Sequence, residues 1–272
     1  MRDDGSTDHT QQILEQYQSE GKLIWYTGEN LGPAKSFMNL LYNCGDFDYY
    51  AFSDQDDVWD KDKLNAAIVR IRNISKPCCY YCNAQLADSK CSLLGENLYK
   101  KRHQITDLTY LCSPGVIGCS MVLNHNLVQI IRSKLLVKDI GMHDLYISKI
   151  CAAVGGTIVY DDRTHFKYRQ HNDNVIGVKT GIKDKILDRL NIVKKKSDCP
   201  IDKQASEIII NYDDIIPVER KRELLLVEDY NKRFINRIIL LTQKNLKFPS
   251  LNSSITNRAA ILFGKRYFQR FS

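Results

Sequence analysis

The sequence predicts an α/β protein: a sheet with crossover helices over residues 1–178, then a helical region over residues 179–272. Three observations carry this reading. Short runs rich in β-branched and aromatic residues alternate with helical patterns as far as Tyr160. After Gly181 the strand-like runs stop and basic amphipathic helices take over. With 272 residues, 43% of them hydrophobic and 26% charged, the chain can bury an enzyme-sized core.

The elements follow in order. Asp3-Asp4-Gly5-Ser6-Thr7-Asp8 has the composition of a turn after a strand, with Thr7 or Asp8 capping a helix that carries Ile13 and Leu14. Leu23 to Tyr26 reads as a strand, and Pro33 to Asn43 as a helix with proline near its start. Tyr49 to Phe52 is a strand running straight into Asp54-Gln55-Asp56-Asp57, so the acidic cluster lies at a strand's C-terminal end, where open α/β sheets bind ligands. Leu64, Ile68 and Ile71 mark the apolar side of the next helix, and Cys78 to Cys82 the next strand. From Asp88 to Ser113 the pattern weakens into an expected long surface loop. Val116 to Leu123 reads as a buried strand in which Gly118 permits close approach of another group. His143 to Val154 is a helix closed by Gly155-Gly156, and Thr157 to Tyr160 resumes a strand.

Composition narrows the class of protein. No run of 18 apolar residues crosses a bilayer, and Met1-Arg2-Asp3-Asp4-Gly5 lacks a signal peptide's apolar segment, so a cytoplasmic location is expected. Nine cysteines are scattered without a repeating spacing; Cys79 and Cys82 have half of a zinc-ribbon pattern with no second half, so reduced thiols are expected. Residues 1–178 carry 19 Lys+Arg against 21 Asp+Glu, whereas residues 179–272 carry 20 against 11, so the net +7 is wholly C-terminal. That excess reads either as a solvated helical face or as attraction to an anionic membrane, for which the aromatic and basic mixture Phe263 to Phe271 is suited. The basic residues form no recognised nucleic-acid module, so no nucleic acid is expected as partner.

Four groups of residues carry possible chemistry. Asp54 and Asp56, at i and i+2 after a strand, offer hard oxygen ligands to Mg²⁺ or Mn²⁺, or belong to an ordinary solvated acidic turn; an EF-hand loop fails because its sixth position is Trp59 and its twelfth Asn65. The Asp3–Asp8 turn offers carboxylates and backbone amides to a base and ribose, or is an ordinary Asp/Gly turn. Asp144, beside His143 at a helix start, is placed for a general base, or is simply favoured by the helix dipole. Arg169 and His171, two apart in an extended segment, share a face and can reach one phosphate or metal, or His171 is simply a polar surface residue.

The order of these groups carries a resemblance. DDGSTD from Asp3, N-x-G at Asn30 to Gly32, SDQDDVW from Ser53 to Trp59, G-C-S-M from Gly118 to Met121, His143-Asp144 and YRQHxxNxxG from Tyr168 together resemble the inverting nucleotide-sugar glycosyltransferases of family 2, and within them the bacterial rhamnosyltransferases. The resemblance spans about residues 2 to 178 and implies a GT-A fold, a Rossmann-like nucleotide-binding mixed sheet flanked by helices, with a C-terminal helical appendage. It implies that Asp3 and Asp4 contact the nucleoside, that Asp54 and Asp56 form the D-x-D motif with Asp56 nearest the metal, and that Asp144 is the general base. His171 would approach the metal or diphosphate, and Lys35 the donor; Arg169, from its place beside His171, is expected to bind the nucleotide sugar.

It further implies a nucleotide-sugar donor of the dTDP-L-rhamnose type, a saccharide or lipid-linked glycan acceptor, a Mg²⁺ or Mn²⁺ cofactor, and a role in surface polysaccharide synthesis at the inner face of the membrane. Relatives begin earlier, with a strand ending in a Thr-Tyr-Asn-like motif, a helix and the strand that feeds DDGSTD. The sequence is therefore expected to lack that strand-helix-strand and to leave a sheet edge unpaired. The alternative expectation is an inactive remnant that still binds carbohydrate or nucleotide.

Overall fold

The computed structural model describes residues 1–99, 106–112, 115–136, 140–170, 200–248 and 251–264. The N-terminal turn is held by a two-stranded parallel ribbon, β1 (Arg2–Asp3) against β2 (Tyr26–Thr27), with Arg2 opposite Tyr26 and Asp3 opposite Thr27. Between them α1 (Thr10–Ser19) buries Leu14 and leaves Ile13 exposed. The strand expected from Leu23 shrinks to Tyr26–Thr27, because β1 pairs with those two residues alone and Ile24 faces outward. Next comes α2 (Gly32–Asn43), with proline in its first turn and Met38 and Leu41 inward.

The main sheet runs in the order β3 (Tyr49–Ala51), β7 (Met121–Asn124), β5 (Cys78–Ala87), β8 (Thr157–Arg169), β4 (Val58–Trp59), with β6 (Leu93–Asn97) also paired to β5. Only β5 and β8 are parallel; the other ladders are antiparallel. This central pair is the reason Cys78 to Cys82 read as an uninterrupted apolar run, since all five are fully buried. Its register shifts between Cys82 and Gln85. There the buried Asp161 accepts hydrogen bonds from Arg70 at 2.8 Å, Arg163 at 2.9 Å and Tyr80 at 3.1 Å, which compensates a carboxylate inside the sheet. Those cations hold its carboxyl down at about 2, against the opposing effect of burial.

Three expectations are corrected. The helix α3 (Lys63–Ile71) buries Lys63, Ala67 and Ile71, a 4-residue spacing on which Leu64 lies outside and is 43% exposed. The segment expected as a loop contains β6 and α4 (Asp107–Cys112), whose residues Leu108 to Cys112 are all buried. Val116 to Leu123 is not one strand: a 3-10 turn over Gly118–Ser120 precedes β7, and α5 (His125–Arg132) follows, capped by the Asn124 side chain.

Every residue of α6 (His143–Ala153) is buried. Beyond it, Gly155 takes φ +71°, and a Cβ on Gly156 would stand 2.6 Å from the Pro77 carbonyl oxygen, so the glycine pair is required where α6 turns into β8. The region expected as an appendage supplies α7 (Ile201–Tyr212), α8 (Val218–Asp229), α9 (Phe234–Leu241) and α10 (Leu251–Leu262). Ile201, Ala205, Ile208, Leu224 and Val227 belong to the same apolar core as the sheet. Buried Lys149 of α6 donates to Gln204 of α7, which donates in turn to the Ile140 carbonyl at 3.1 Å. Residues 171–199, with the expected boundary at 178, lie outside the described residues. Among the described residues, no helix is long and apolar enough to cross a membrane, and the eight described cysteines are free thiols.

Candidate active site

The acidic turn follows β3 and is pinned from the far side of the sheet. β4 pairs Val58 with Lys167 and Trp59 with Phe166 on β8, and the Arg169 N–H donates to Asp57 Oδ1 at 3.2 Å. Ligand atoms of Asp54, Asp57 and Cys119 lie within 4.8 Å of one another, the one such group among the described residues. Asp56, expected as the nearest metal ligand, is half-buried but is not part of this trio. Burial pushes the Asp57 carboxyl up to about 6; hydrogen bonds from the Cys119 thiol and the Arg169 N–H oppose the shift, and the charges of Asp54 and Asp56 add to it. Burial also pushes the Cys119 thiol well above its usual range. Mg²⁺ and Mn²⁺ prefer hard oxygen donors to a soft sulfur, so the carboxylates of Asp54 and Asp57 fit such a cation better than Cys119 does.

Beneath the turn lies a buried cation that the apolar pattern of α3 concealed. Lys63 Nζ donates to the Cys119 carbonyl at 2.6 Å and stands over the rings of Trp59, at 3.4 Å from the centroid, and Phe166, at 4.5 Å. Burial lowers its ammonium to about 8, while nearby acidic groups, Asp57 and Asp54 among them, work to raise it.

The turn that carries Cys119 also meets α6. The Gly118 N–H donates to Asp144 Oδ2 at 2.8 Å, and the Leu145 N–H to Asp144 Oδ1 at 2.7 Å. Asp144 is fully buried, and each of its oxygens already accepts a backbone N–H. Its neighbour His143 is packed between Phe37 of α2, stacked at 4.4 Å between ring centroids, and Phe52, edge-on at 4.9 Å. A Cβ on Gly118 would come within 2.4 Å of His143 Nε2, so glycine here is a requirement of packing.

At the N-terminus the two acidic residues differ. Asp3 is buried, and its carboxylate accepts from Ser6, Gln11 and Thr27, which hold it at about 2, the Ser6 hydroxyl contributing most. Asp4 accepts the N–H groups of Leu31 at 3.0 Å and Gly32 at 2.9 Å and pairs with Arg2, and its carboxyl is held low by these contacts against burial. Asp4 therefore fixes the start of α2, whose Phe37 reaches His143. A continuous path of contacts runs from Asp4 through α2 and His143 to Gly118 and Cys119, and on to Asp57. Lys35 lies exposed in the first turn of α2, Arg169 ends β8, and His171 lies outside the described residues. At the other end of β8, a cavity of about 520 Å³ lined by Asp107, Thr157, Arg220, Glu223 and Lys247 lies away from the acidic turn.

Residues 1–122 match the profile of the family described as Glycosyl transferase family 2. Over 211 residues the chain is 29% identical to the dTDP-rhamnosyl transferase RfbG of Shigella flexneri, covering 72% of this chain and 70% of that protein. Its fold is similar to residues 1–349 of TarS from S. aureus, solved in complex with UDP-GlcNAc, at a TM-score of 0.51 and 15% identity, covering 96% of this chain and 80% of that one. It is similar also to the mannosyltransferase PcManGT from Pyrobaculum calidifontis, solved with GDP-Man and Mn²⁺, at a TM-score of 0.50 and 13% identity, covering 97% and 75%. The profile match takes in the Asp3–Asp4 turn, the acidic turn after β3 and the Gly118 turn, so the part of the chain that holds these three turns is similar to glycosyl transferase family 2, and the fold is a GT-A-type mixed sheet flanked by helices.

Proposed function

We propose that the chain moves L-rhamnose from a dTDP-linked donor to a saccharide or lipid-linked glycan acceptor, with inversion at the anomeric carbon, in bacterial surface polysaccharide synthesis. The observation that carries this reading is the junction at Gly118–Cys119, where the acidic turn and the start of α6 meet. The rhamnosyl donor rests on the similarity to RfbG.

Asp54 and Asp57 are the residues that would hold Mg²⁺ or Mn²⁺, and the bound cation supplies charge neutralisation for the departing diphosphate. The remaining chemistry belongs to the chain. Asp4 orders the N-x-G segment and, with Asp3, shapes the nucleoside pocket; Lys35 and Arg169 are the cations proposed to bind the donor. Asp144 takes the proton of the acceptor hydroxyl as that oxygen bonds to the anomeric carbon and the carbon–oxygen bond to the diphosphate breaks. Each Asp144 oxygen accepts one backbone N–H and keeps a further lone pair for a proton, but the carboxylate is fully buried, so that role requires the site to open when acceptor binds.

The test is Asp144→Asn. The expected result is a loss of about a thousandfold or more in kcat with donor-nucleotide affinity within about twofold of the parent, as for an interaction made only in the transition state. Full turnover by the variant would refute the assignment. An equal loss of nucleotide affinity would refute it too, since Asp144 would then be a structural anchor of the Gly118 turn.

A further inference from the structure

The C-terminal helices α9 and α10 form an antiparallel hairpin. Arg237 near the start of α9 donates to the Leu262 carbonyl at the end of α10, at 3.2 Å, and Arg258 of α10 donates to the Leu241 carbonyl at the end of α9, at 2.7 Å. At 100° per residue, Phe234, Ile235, Ile238 and Ile239 fall on one side of α9, and Leu251, Ile255 and Leu262 on one side of α10. In each helix the order around the axis is core side, partner-helix side, outer side. Since the helices run in opposite directions, the two outer stripes share one surface of the hairpin. Phe234, Ile235, Ile239, Leu251 and Ile255 stand on it; the most exposed are Leu251 at 76% and Phe234 at 63%.

Scattered apolar side chains on a surface need no explanation, but a row of five across two packed helices does. The charge around it is one-sided: residues 230–264 contain six Lys+Arg and no Asp or Glu. A second copy of the chain is a poor occupant, because a two-fold interface would set this acid-free cationic segment against itself. An anionic bilayer satisfies both features, taking the apolar stripe among its acyl chains and the lysines and arginines among its headgroups. We propose that the α9–α10 hairpin is an interfacial surface that seats the protein on a membrane of anionic phospholipid. It is independent of the sugar-transfer reading.

The experiment is cosedimentation of the full chain with phosphatidylcholine vesicles, with and without phosphatidylglycerol. Partitioning at least about tenfold stronger on the anionic vesicles, and weakened by salt, is expected. The double variant Ile235→Ser/Ile239→Ser, which touches exposed positions, is expected to lose at least about tenfold in partitioning with the unfolding midpoint unchanged. Arg233→Glu/Lys244→Glu, which leaves the apolar stripe intact, is expected to do the same. Equal binding to neutral and anionic vesicles, unchanged binding by both variants, or a dimer of the parent chain that the serine variant dissociates would each overturn the proposal.

Discussion

The Lys63 ammonium stands 3.4 Å from the centroid of the Trp59 ring. Tryptophan's face stabilises a cation that burial would otherwise disfavour, and the same ammonium closes on the Cys119 carbonyl. Lys63 thus ties α3 to the turn that holds Asp144, while placing a positive charge under Asp54 and Asp57. Lys63→Met should act in opposite directions on two measurements. Thermal unfolding should show a loss of about 1–3 kcal/mol, because a buried carbonyl loses its donor. Mn²⁺ titration should show tighter binding, because a competing charge is gone. An unchanged unfolding midpoint would rule out the tie, and unchanged Mn²⁺ affinity would rule out the electrostatic coupling.

Gly118→Ala places a methyl where His143 lies. His143 is clamped by Phe37 and Phe52 and has little freedom to move aside. The expected cost is about 1–3 kcal/mol of stability from overpacking, together with a fall in kcat as Asp144 shifts with its neighbour. A variant as stable and as active as the parent would show that the contact is relieved at no cost.

Cation binding should depend on pH through Asp57. Its carboxyl is raised to about 6, so below that pH a proton occupies the group and the cation must displace it. Mn²⁺ affinity is expected to fall about tenfold per pH unit below about 6 and to level off above it. Asp57→Asn should weaken binding and remove this dependence. Asp56→Asn should leave the dependence in place, since Asp56 lies outside the trio. A pH profile that vanishes with Asp56 rather than Asp57 would return the ligand role to Asp56.

Acid stability should reside in Asp3 and Asp161. Both carboxyls are held at about 2 in the folded chain, below the ordinary value of 3.8. The unfolded state therefore binds protons first as pH falls, so their contribution is complete above about 4 and disappears as pH drops through about 2. Asp161→Asn is expected to cost about 2 kcal/mol at neutral pH and to flatten the unfolding midpoint between pH 4 and 2. A midpoint with the parent's acid slope would place that sensitivity elsewhere.

What the sequence disclosed depended on the range of the interaction. The acidic turn was legible because Tyr49 to Phe52 and Asp54 to Asp57 adjoin in the chain, so a strand period and its break stand side by side. The start of α6 was legible for the same reason, and Gly118 already read as a point of close approach. The role of Cys119 was hidden, because a thiol in an apolar run looks like core, and its neighbours Asp54 and Asp57 are more than sixty positions away. Lys63 was hidden differently: in the helical pattern Leu64 looked inward, and only the rings of Trp59 and Phe166 explain why a lysine replaces it in the interior. The saturation of Asp3 by Ser6, Gln11 and Thr27 likewise depends on pairing between β1 and β2 that no local spacing reports.

The contact between Lys149 and Gln204 has a practical consequence for anyone building chimeras of such enzymes. A junction drawn where the strands cease would transplant α6 without the helix that answers its lysine. The graft would carry a buried ammonium stripped of its Gln204 acceptor, and a bared apolar wall. The exchangeable unit therefore includes at least α7, and donors of new specificity should be spliced downstream of Tyr212 rather than ahead of Pro200.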